Sequence, residues 1–271
     1  MLRSTQIGFS KAIFAIFLQL TSAMSFADQY SFVAIIIDDI GHNKKNGQRA
    51  ININAPLTLS VIPGARHADI LARNANASGK EVMIHLPMEP TMQVPLGNLA
   101  LTSDLSEAGI NMIVEEAIKL VPFAKGINNH MGSALTQQPK AMSWLMRSVK
   151  RHNLFFIDSR TTHKSIASKI AVQHDIRSAS RDIFLDNKKS TQAINIEFGR
   201  LLALAKRQKT AIAIGHPHPS TLQYLEHTIP MLENRGIKVI SITKIIEIRL
   251  VEQGLATEYT ANRLSKNSHS N

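Results

Sequence analysis

Short apolar runs alternate with amphipathic segments along most of the chain. Such runs are typical of strands covered on both faces, as in parallel sheets. The segments between them carry apolar residues three and four positions apart, which predicts helices that each bury one face. The predicted strands are 32–37, 57–62, 81–85, 126–130, 154–158, 210–214 and 237–242, with one further short strand within 172–186.

Helix start and stop signals give the predicted helices their bounds. Gly79 follows one helix as a C-cap would, Pro139 opens another, and Ser103 or Asp104 is expected to cap a third. The predicted helices are 43–54, 66–77, 103–121, 139–152, 163–171, 190–208, 219–234 and 243–253.

Helices intervene between nearly all the strands, so neighbouring strands should be parallel. We therefore predict one α/β domain over residues 28–254, followed by a polar tail over 255–271 that is expected to be disordered. A closed or deformed β/α barrel with seven or eight mostly parallel strands is favoured over an open doubly wound sheet.

The first 27 residues have the pattern of a secretory signal peptide. Arg3 and Lys11 precede a largely apolar stretch over 12–24, which is too short to span a bilayer comfortably. Small residues at Ser25 and Ala27 predict cleavage after Ala27 and export to the periplasm. An uncleaved N-terminal anchor is the alternative, and no integral membrane segment is expected after cleavage.

The amino-acid composition limits which catalytic groups, metal ligands and partners the protein can have. The 271 residues include no Cys, which excludes thiol catalysis and Cys-bound zinc, so a metal must be held by His, Asp or Glu. Formal net charge is +11, and removing two positive charges with residues 1–27 leaves 11 − 2 = +9. This basic balance indicates attraction to anionic envelope polymers or lipid surfaces. No nucleic-acid-binding module is recognisable, so no nucleic-acid partner is expected.

Five of the predicted strands end in polar side chains that can bind a metal or transfer a proton. Each motif alone is explained equally well by a helix cap, a turn or a buried residue whose hydrogen bonds are satisfied within the core. Their shared position at the carboxyl ends of parallel strands predicts one convergent site. The strand-end residues are Asp38 and Asp39, His85, His130, Asp158 and His216.

A hydrolytic site can be built from these groups. A divalent ion bound by one carboxylate and two imidazoles keeps positions open for water and substrate, lowers the pKa of that water and polarises a carbonyl. A second carboxylate can take the proton from the water, and a more distant His can protonate the leaving group.

Over residues 32–252 the chain resembles the divergent polysaccharide deacetylase family, a branch of the carbohydrate esterase relatives with a NodB-type deformed β/α barrel. The segments that carry the resemblance are AIIIDDIGHN, LTLSVIPGARHA, EVMIHLPMEP, GINNHMGS, FFIDSRTT and IGHPHP.

The resemblance also implies roles for individual residues. Asp38 looks like the catalytic base and Asp39 like a metal ligand, while His85 matches the first His of a His-x-x-x-His motif. Glu89 replaces the second His of that motif, so we expect His130 to supply the second imidazole, with Glu89 as the alternative ligand.

Two further roles follow from the resemblance. His216 has the place of the general acid, and Asp158 resembles the acidic group that tunes it. The arginine- and proline-containing motif of ordinary deacetylases is not evident at 128–133, so substrate binding is expected to differ.

The resulting hypothesis is a periplasmic, zinc-dependent hydrolase that removes N-acetyl-type acyl groups from an envelope polysaccharide or a peptidoglycan fragment. The alternative is a non-catalytic, glycan- or protein-binding envelope protein that retains the barrel. A third possibility is that the basic surface itself binds anionic lipid or polymer.

Overall fold

A sheet of parallel strands forms the centre of the computed structural model, which describes residues 30–97, 99–252 and 254. The predicted signal peptide (1–27) and polar tail (255–271) lie outside the described residues. The described strands are β1 (Ser31–Ile40), β2 (Thr58–Val61), β3 (Glu81–Met88), β4 (Gly126–Met131), β5 (Phe155–Asp158), β6 (Ser178–Ser180), β7 (Ile183–Phe184), β8 (Thr210–Gly215) and β9 (Ile237–Val239). The described helices are α1 (Lys44–Asn52), α2 (Ala68–Ala77), α3 (Glu107–Leu120), α4 (Pro139–Arg151), α5 (Ala167–Gln173), α6 (Thr191–Gln208), α7 (Pro219–Thr228) and α8 (Ile242–Glu252).

The strands follow the order β6-β5-β4-β3-β2-β1-β8-β7, and β9 pairs with the start of β1. Every pairing between these strands is parallel, as the alternation of strands and helices predicted. The carboxyl ends of the strands therefore lie at one end of the sheet.

A single short stretch of chain connects the two edges of this sheet. Strand β6 pairs with β5, and β7, three residues later, pairs with β8. Between them the Arg181 N–H donates to the Asp158 carbonyl at 3.0 Å, and the Asp182 N–H donates to the Ile212 carbonyl at 2.9 Å. The sheet thus curls into a deformed β/α barrel, which confirms the predicted fold class.

The apolar alternation in β1 shows how the core is divided. Val33, Ile35 and Ile37 face the larger apolar cluster, which packs the sheet against the surrounding helices. Ala34 and Ile36 face a smaller cluster that also contains residues of α8. Successive side chains of a strand point to opposite faces, so a strand between two apolar layers must be apolar throughout.

Several elements differ from their predicted bounds, including three in the chain between β3 and β9. Helix α3 begins after Ser106, whose hydroxyl accepts a hydrogen bond from the Gly109 N–H, and not after Ser103 or Asp104. The segment 172–186 contains two short strands where one was predicted. The predicted helix 219–234 ends as an α-helix at Thr228, because Pro230 removes a backbone donor, and short 3₁₀ turns follow it.

Gly126 provides a test of the packing in this barrel. A Cβ at this position would lie 2.2 Å from the ring of Phe155, a buried aromatic side chain that cannot move without displacing its neighbours. We expect Gly126→Ala to lower the free energy of unfolding by roughly 1–3 kcal/mol, the usual cost of overpacking. Urea denaturation followed by circular dichroism measures the change.

The matched control is Gly199→Ala in α6, where a Cβ meets no heavy atom within 4 Å. Alanine in an exposed helix interior is better than glycine by roughly 0.5–1 kcal/mol, so this variant should be at least as stable as the parent. Equal stability of the two variants would contradict the packing described for Gly126.

Candidate active site

Asp38 and Asp39 lie in an irregularity at the end of β1. The pairing of β1 with β2 shifts register between Ile37 and Ile40, and Asp39 has a left-handed backbone with φ of 56°. In a regular strand these neighbouring carboxylates would point to opposite faces. The bulge instead turns both toward one imidazole: His85 Nε2 lies 3.6 Å from Asp38 Oδ2 and 3.3 Å from Asp39 Oδ1.

Asp39, His85 and His130 converge at this point. Asp39 Oδ1 lies 3.3 Å from His85 Nε2 and 3.2 Å from His130 Nδ1, and the two nitrogens are 3.1 Å apart. A tetrahedral zinc with bonds of about 2.0–2.1 Å separates its ligand atoms by about 3.3 Å. The spacing of the three predicted ligands therefore fits a divalent metal ion.

A buried oxygen supports the same conclusion. Asp39 Oδ1 is shielded from solvent and accepts no hydrogen bond of good geometry from the described residues, although both imidazoles are near it. A buried carboxylate oxygen without a donor is unfavourable and needs an explanation. A cation bound between Asp39, His85 and His130 satisfies this oxygen.

Asn128, on β4, sets the orientation of both neighbouring groups. Its Nδ2 donates to Asp38 Oδ1 at 2.8 Å, and this assigns Oδ1 of the amide as the acceptor. That oxygen lies 2.7 Å from Ser60 Oγ and 2.7 Å from His85 Nδ1. His85 must therefore carry its proton on Nδ1, which leaves the Nε2 lone pair directed at Asp39, as a metal-ligating imidazole requires.

The two carboxylates differ in their proton affinity. Burial raises the pKa of Asp38, and the favourable effects of His85 and Asn128 only partly offset it. Burial also acts on Asp39, but the imidazoles of His130 and His85 hold the pKa of Asp39 well below its usual range. Neighbouring carboxyl groups whose pKa values are pushed apart are suited to different roles. Asp39 is suited to hold a cation, and Asp38 to exchange a proton.

A separate pair forms at the end of β8. His216 Nδ1 donates to Asp186 Oδ1 at 2.8 Å, and the His216 N–H and Thr221 Oγ1 both donate to Asp186 Oδ2. Burial opposes protonation of His216, but Asp186 overcomes it and raises the pKa of His216 to about 9. At neutral pH the imidazole therefore carries a proton that it can donate.

His218 lies beside this pair, with its ring centroid 5.7 Å from that of His216. Ligand atoms of Asp186, His216 and His218 are also close enough to hold a metal ion. Both oxygens of Asp186 already accept hydrogen bonds from His216 and Thr221, so we interpret this group as a hydrogen-bonded acid and assign the metal to Asp39, His85 and His130.

The resemblance implied Asp158 as the acidic group that tunes His216, but the carboxylate bonded to His216 in the structure is that of Asp186. Asp158 accepts hydrogen bonds from Ser165 Oγ at 2.7 Å and from the Arg160 N–H at 2.8 Å. It thereby stabilises the turn that follows β5. The reason is topological: the 178–184 segment lies between β5 and β8, and Asp186 follows the strand that pairs directly with β8.

Glu89 is not brought to the metal ligands either. Its Oε2 accepts a hydrogen bond from the Ser103 N–H at 2.6 Å, which closes the base of the loop over 90–102. Strand β3 continues through Met88 and not only to residue 85, as predicted. Four residues of extended strand span about 13 Å, so Glu89 lies too far along the chain to share a ligand set with His85.

A stacked arginine lies in the closing segment between β6 and β7. Arg181 Nε and Nη2 donate to the carbonyls of Ser159 and Arg160, and its guanidinium lies 3.7 Å from the centroid of the Phe184 ring. Phe184 in turn stacks on His216 at 6.2 Å. Burial and the neighbouring Arg160 lower the pKa of Arg181 to about 10, so it remains a cation at neutral pH.

Sequence reasoning did not select Asn128, Asp186 or Arg181. A signal existed for the first two: Asn128 lies in the same strand-end motif as His130, and Asp186 follows the apolar residues of β7 and Leu185. No sequence pattern indicated Arg181, because its position depends on one stretch of chain that pairs with β5 at one end and with β8 at the other.

A parallel, deformed β/α barrel with a carboxylate–imidazole cluster at the carboxyl ends of its strands is the architecture of the NodB-like deacetylases. The family model of the divergent polysaccharide deacetylases matches residues 35–246, and the chain belongs to that family.

Two relatives that the chain matches are uncharacterized proteins. YibQ of Escherichia coli K12 is 37% identical over 197 residues, which cover 73% of this chain and 62% of that protein. An uncharacterized protein of Haemophilus influenzae Rd is 37% identical over 202 residues, covering 74% of this chain and 72% of its own length. The chain thus spans less than two thirds of the Escherichia coli relative it matches.

Solved structures support the fold. An uncharacterized protein of Agrobacterium tumefaciens C58 superposes with a TM-score of 0.77 at 19% identity, over 80% of this chain and 89% of that one. A mutant CE4-family pseudoenzyme with restored enzymatic activity gives a TM-score of 0.51 at 16% identity, over 80% and 68% of the two chains. At these identities the comparisons show the fold alone.

Among the described residues, no helix has the length and apolar character needed to cross a membrane.

Proposed function

We propose that this protein is a metal-dependent hydrolase that removes acyl groups from an envelope polysaccharide. The observation that carries this proposal is the convergence of ligand atoms of Asp39, His85 and His130 within 3.1–3.3 Å of one another, beside the buried carboxylate of Asp38. The family of the chain supports a polysaccharide substrate.

Asp39 Oδ1, His85 Nε2 and His130 Nδ1 would hold the metal, and two imidazoles with one carboxylate favour zinc. A bound zinc would lower the pKa of a water molecule and would polarise the acyl carbonyl. Asn128 holds His85 in the tautomer that ligation requires, so it is a positioning residue.

Asp38 is suited to take the proton of the attacking water. Burial raises the pKa of this carboxyl group, which makes it a stronger base than an exposed aspartate. The hydrogen bond from Asn128 Nδ2 holds Asp38 Oδ1 in place. The other oxygen, Asp38 Oδ2, lies near His85 Nε2, one of the proposed metal-ligand atoms.

His216 is suited to donate a proton to the leaving nitrogen or oxygen. Its Nδ1 is bonded to Asp186, so the proton available for donation is on Nε2. Without this proton an amine would have to leave as an anion, which is a far slower reaction.

The location and the substrate complete the proposal. Export by the predicted signal peptide, with cleavage after Ala27, would place the protein in the periplasm, where acylated glycans and peptidoglycan are found.

The metal site is tested by removing its ligands one at a time. We expect Asp39→Ala, His85→Ala and His130→Ala each to lower the zinc-to-protein ratio by about tenfold or more, because a three-ligand site loses most of its affinity with one ligand. Elemental analysis after dialysis measures the ratio.

Glu89→Gln is the matched control and should retain its zinc, since Glu89 bonds to Ser103 and not to the ligand group. Full metal occupancy in all three alanine variants would refute the proposed site. Loss of zinc in Glu89→Gln alone would favour the alternative ligand.

A non-catalytic glycan- or protein-binding role is the rival function. It is favoured by the replacement of the second motif His by Glu89 and by the lack of an evident arginine motif at 128–133. Zinc-loaded protein that binds acetylated chitooligosaccharide, but releases no acetate from it or from peptidoglycan fragments, would support the rival.

A further inference from the structure

A groove of about 560 Å³ lies between β3, the turn after β2 and the end of α3, and His130 is part of its lining. Most of the side chains that line it are apolar, and its other polar side chains, His42 and Glu116, are solvent-exposed. The apolar side chains that line it include Ile62, Pro63, Pro87, Leu96, Leu99 and Leu120.

Gly64 lies in the lining of this groove. It has a left-handed backbone with φ of 77°, and a Cβ there would contact Leu99 Cδ1 at 3.6 Å and Leu120 Cδ1 at 4.0 Å. Two leucine side chains thus converge on a position that carries no side chain. Apolar side chains grouped in a groove are suited to cover an apolar ligand.

The position of the groove relative to His216 determines which part of the substrate enters it. His216, at the end of β8, lies on one side of β1, while β2, β3 and the groove lie on the other. The leaving group of the substrate must be near His216, so the remaining substituent of the acyl carbon extends away from it. His130 is both a member of the metal cluster and part of the groove lining, so the groove borders the cluster at this residue.

We propose that the groove binds the hydrocarbon chain of a fatty acyl group, so that the substrate is a sugar carrying a medium-length or longer acyl chain. This proposal rests on the proposed hydrolase function. A methyl group fills about the volume of one water molecule, ~30 Å³, which is a small part of the groove.

The chain-length preference of zinc-loaded full-length protein tests the proposal. Each buried methylene contributes up to about fourfold in affinity, so kcat/KM for p-nitrophenyl octanoate should exceed that for p-nitrophenyl acetate by at least about tenfold. Both esters are used below the concentration at which the octanoate forms micelles.

Leu96→Trp fills the groove and should lower the octanoate-to-acetate ratio by about tenfold or more. Leu96→Asp, which puts a charge in the same place, should act in the same direction. Met92→Trp is the matched control: Met92 is 72% exposed on the same loop and does not line the groove, so the ratio should not change. A wild-type ratio near or below one, or equal effects of Leu96→Trp and Met92→Trp, would overturn the proposal.

A binding measurement separates this proposal from the proposed function. N-octanoylglucosamine and N-acetylglucosamine are titrated into the metal-free protein by calorimetry. If neither ester is turned over, the hydrolase proposal fails, and tighter binding of the octanoyl compound that Leu96→Trp weakens still supports the groove. Equal binding of the two compounds would contradict the proposal that the groove binds an acyl chain. Turnover without a chain-length preference would also contradict it, and would leave the hydrolase proposal intact.

Discussion

Asp38→Asn is expected to lower kcat by about 10²–10⁴-fold, the usual contribution of a general base, while zinc stays bound. The substitution keeps the shape of the side chain, and an amide oxygen at this position can still accept the hydrogen bond from Asn128 Nδ2. It removes the negative charge of the carboxylate and with it the ability to accept a proton from water. Steady-state rates on an acylated glycan and elemental analysis of the same sample measure both quantities.

Two controls make this result specific. Circular dichroism of Asp38→Asn should match that of the parent, and its zinc-to-protein ratio should be unchanged, because Asp39 and the two imidazoles are intact. If Asp38→Asn retains more than about a tenth of the parental kcat, Asp38 is not the base. If it loses its metal, Asp38 is a ligand.

His216→Ala is expected to slow amide hydrolysis by about 10²–10⁴-fold and to affect p-nitrophenyl ester hydrolysis much less. An amine leaves only with a proton, whereas p-nitrophenolate leaves readily as an anion. A structural role for His216 would slow both reactions equally. The comparison of the two substrates with one variant therefore tests proton donation and not merely the integrity of the site.

The pH profile of the same reaction tests the role of Asp186. Asp186 raises the pKa of His216 to about 9, so the acid is protonated below that pH and activity on amides should fall as pH rises through it. Asp186→Asn removes the negative charge and should move this alkaline limb down by about one pH unit or more. Asp158→Asn should leave the limb in place, because Asp158 bonds to Ser165 and Arg160.

The strand pattern was sufficient to predict the barrel and most of its elements. Apolar runs covered on both faces are hard to mistake when helices separate them, and β1, β3 and β8 are of this kind. The segment 172–186 was harder, because its two short strands are only partly buried and have little apolar alternation. Their pairing with β5 and β8 is a tertiary effect that local sequence does not encode.

The sequence also indicated which residues meet at the metal cluster, but not all of their partners. His130, at the end of the following strand, was preferred over Glu89 because it restores a second imidazole, and the structure brings it to Asp39 and His85. The acidic partner of His216 was misassigned, because Asp158 and Asp186 both follow strands and only the order of strands in space separates them. Choosing between them requires the pairing of β7 with β8.

The pairing of β1 with β8 has a consequence for how the chain folds. Phe32, near the start of β1, pairs with Thr210, 178 positions later. Contacts of such long sequence separation form slowly, because the intervening chain must first be brought to order. Until β8 is in place, the most apolar strand has an unpaired edge. A polypeptide shortened before residue 210 should therefore aggregate rather than form a smaller stable barrel.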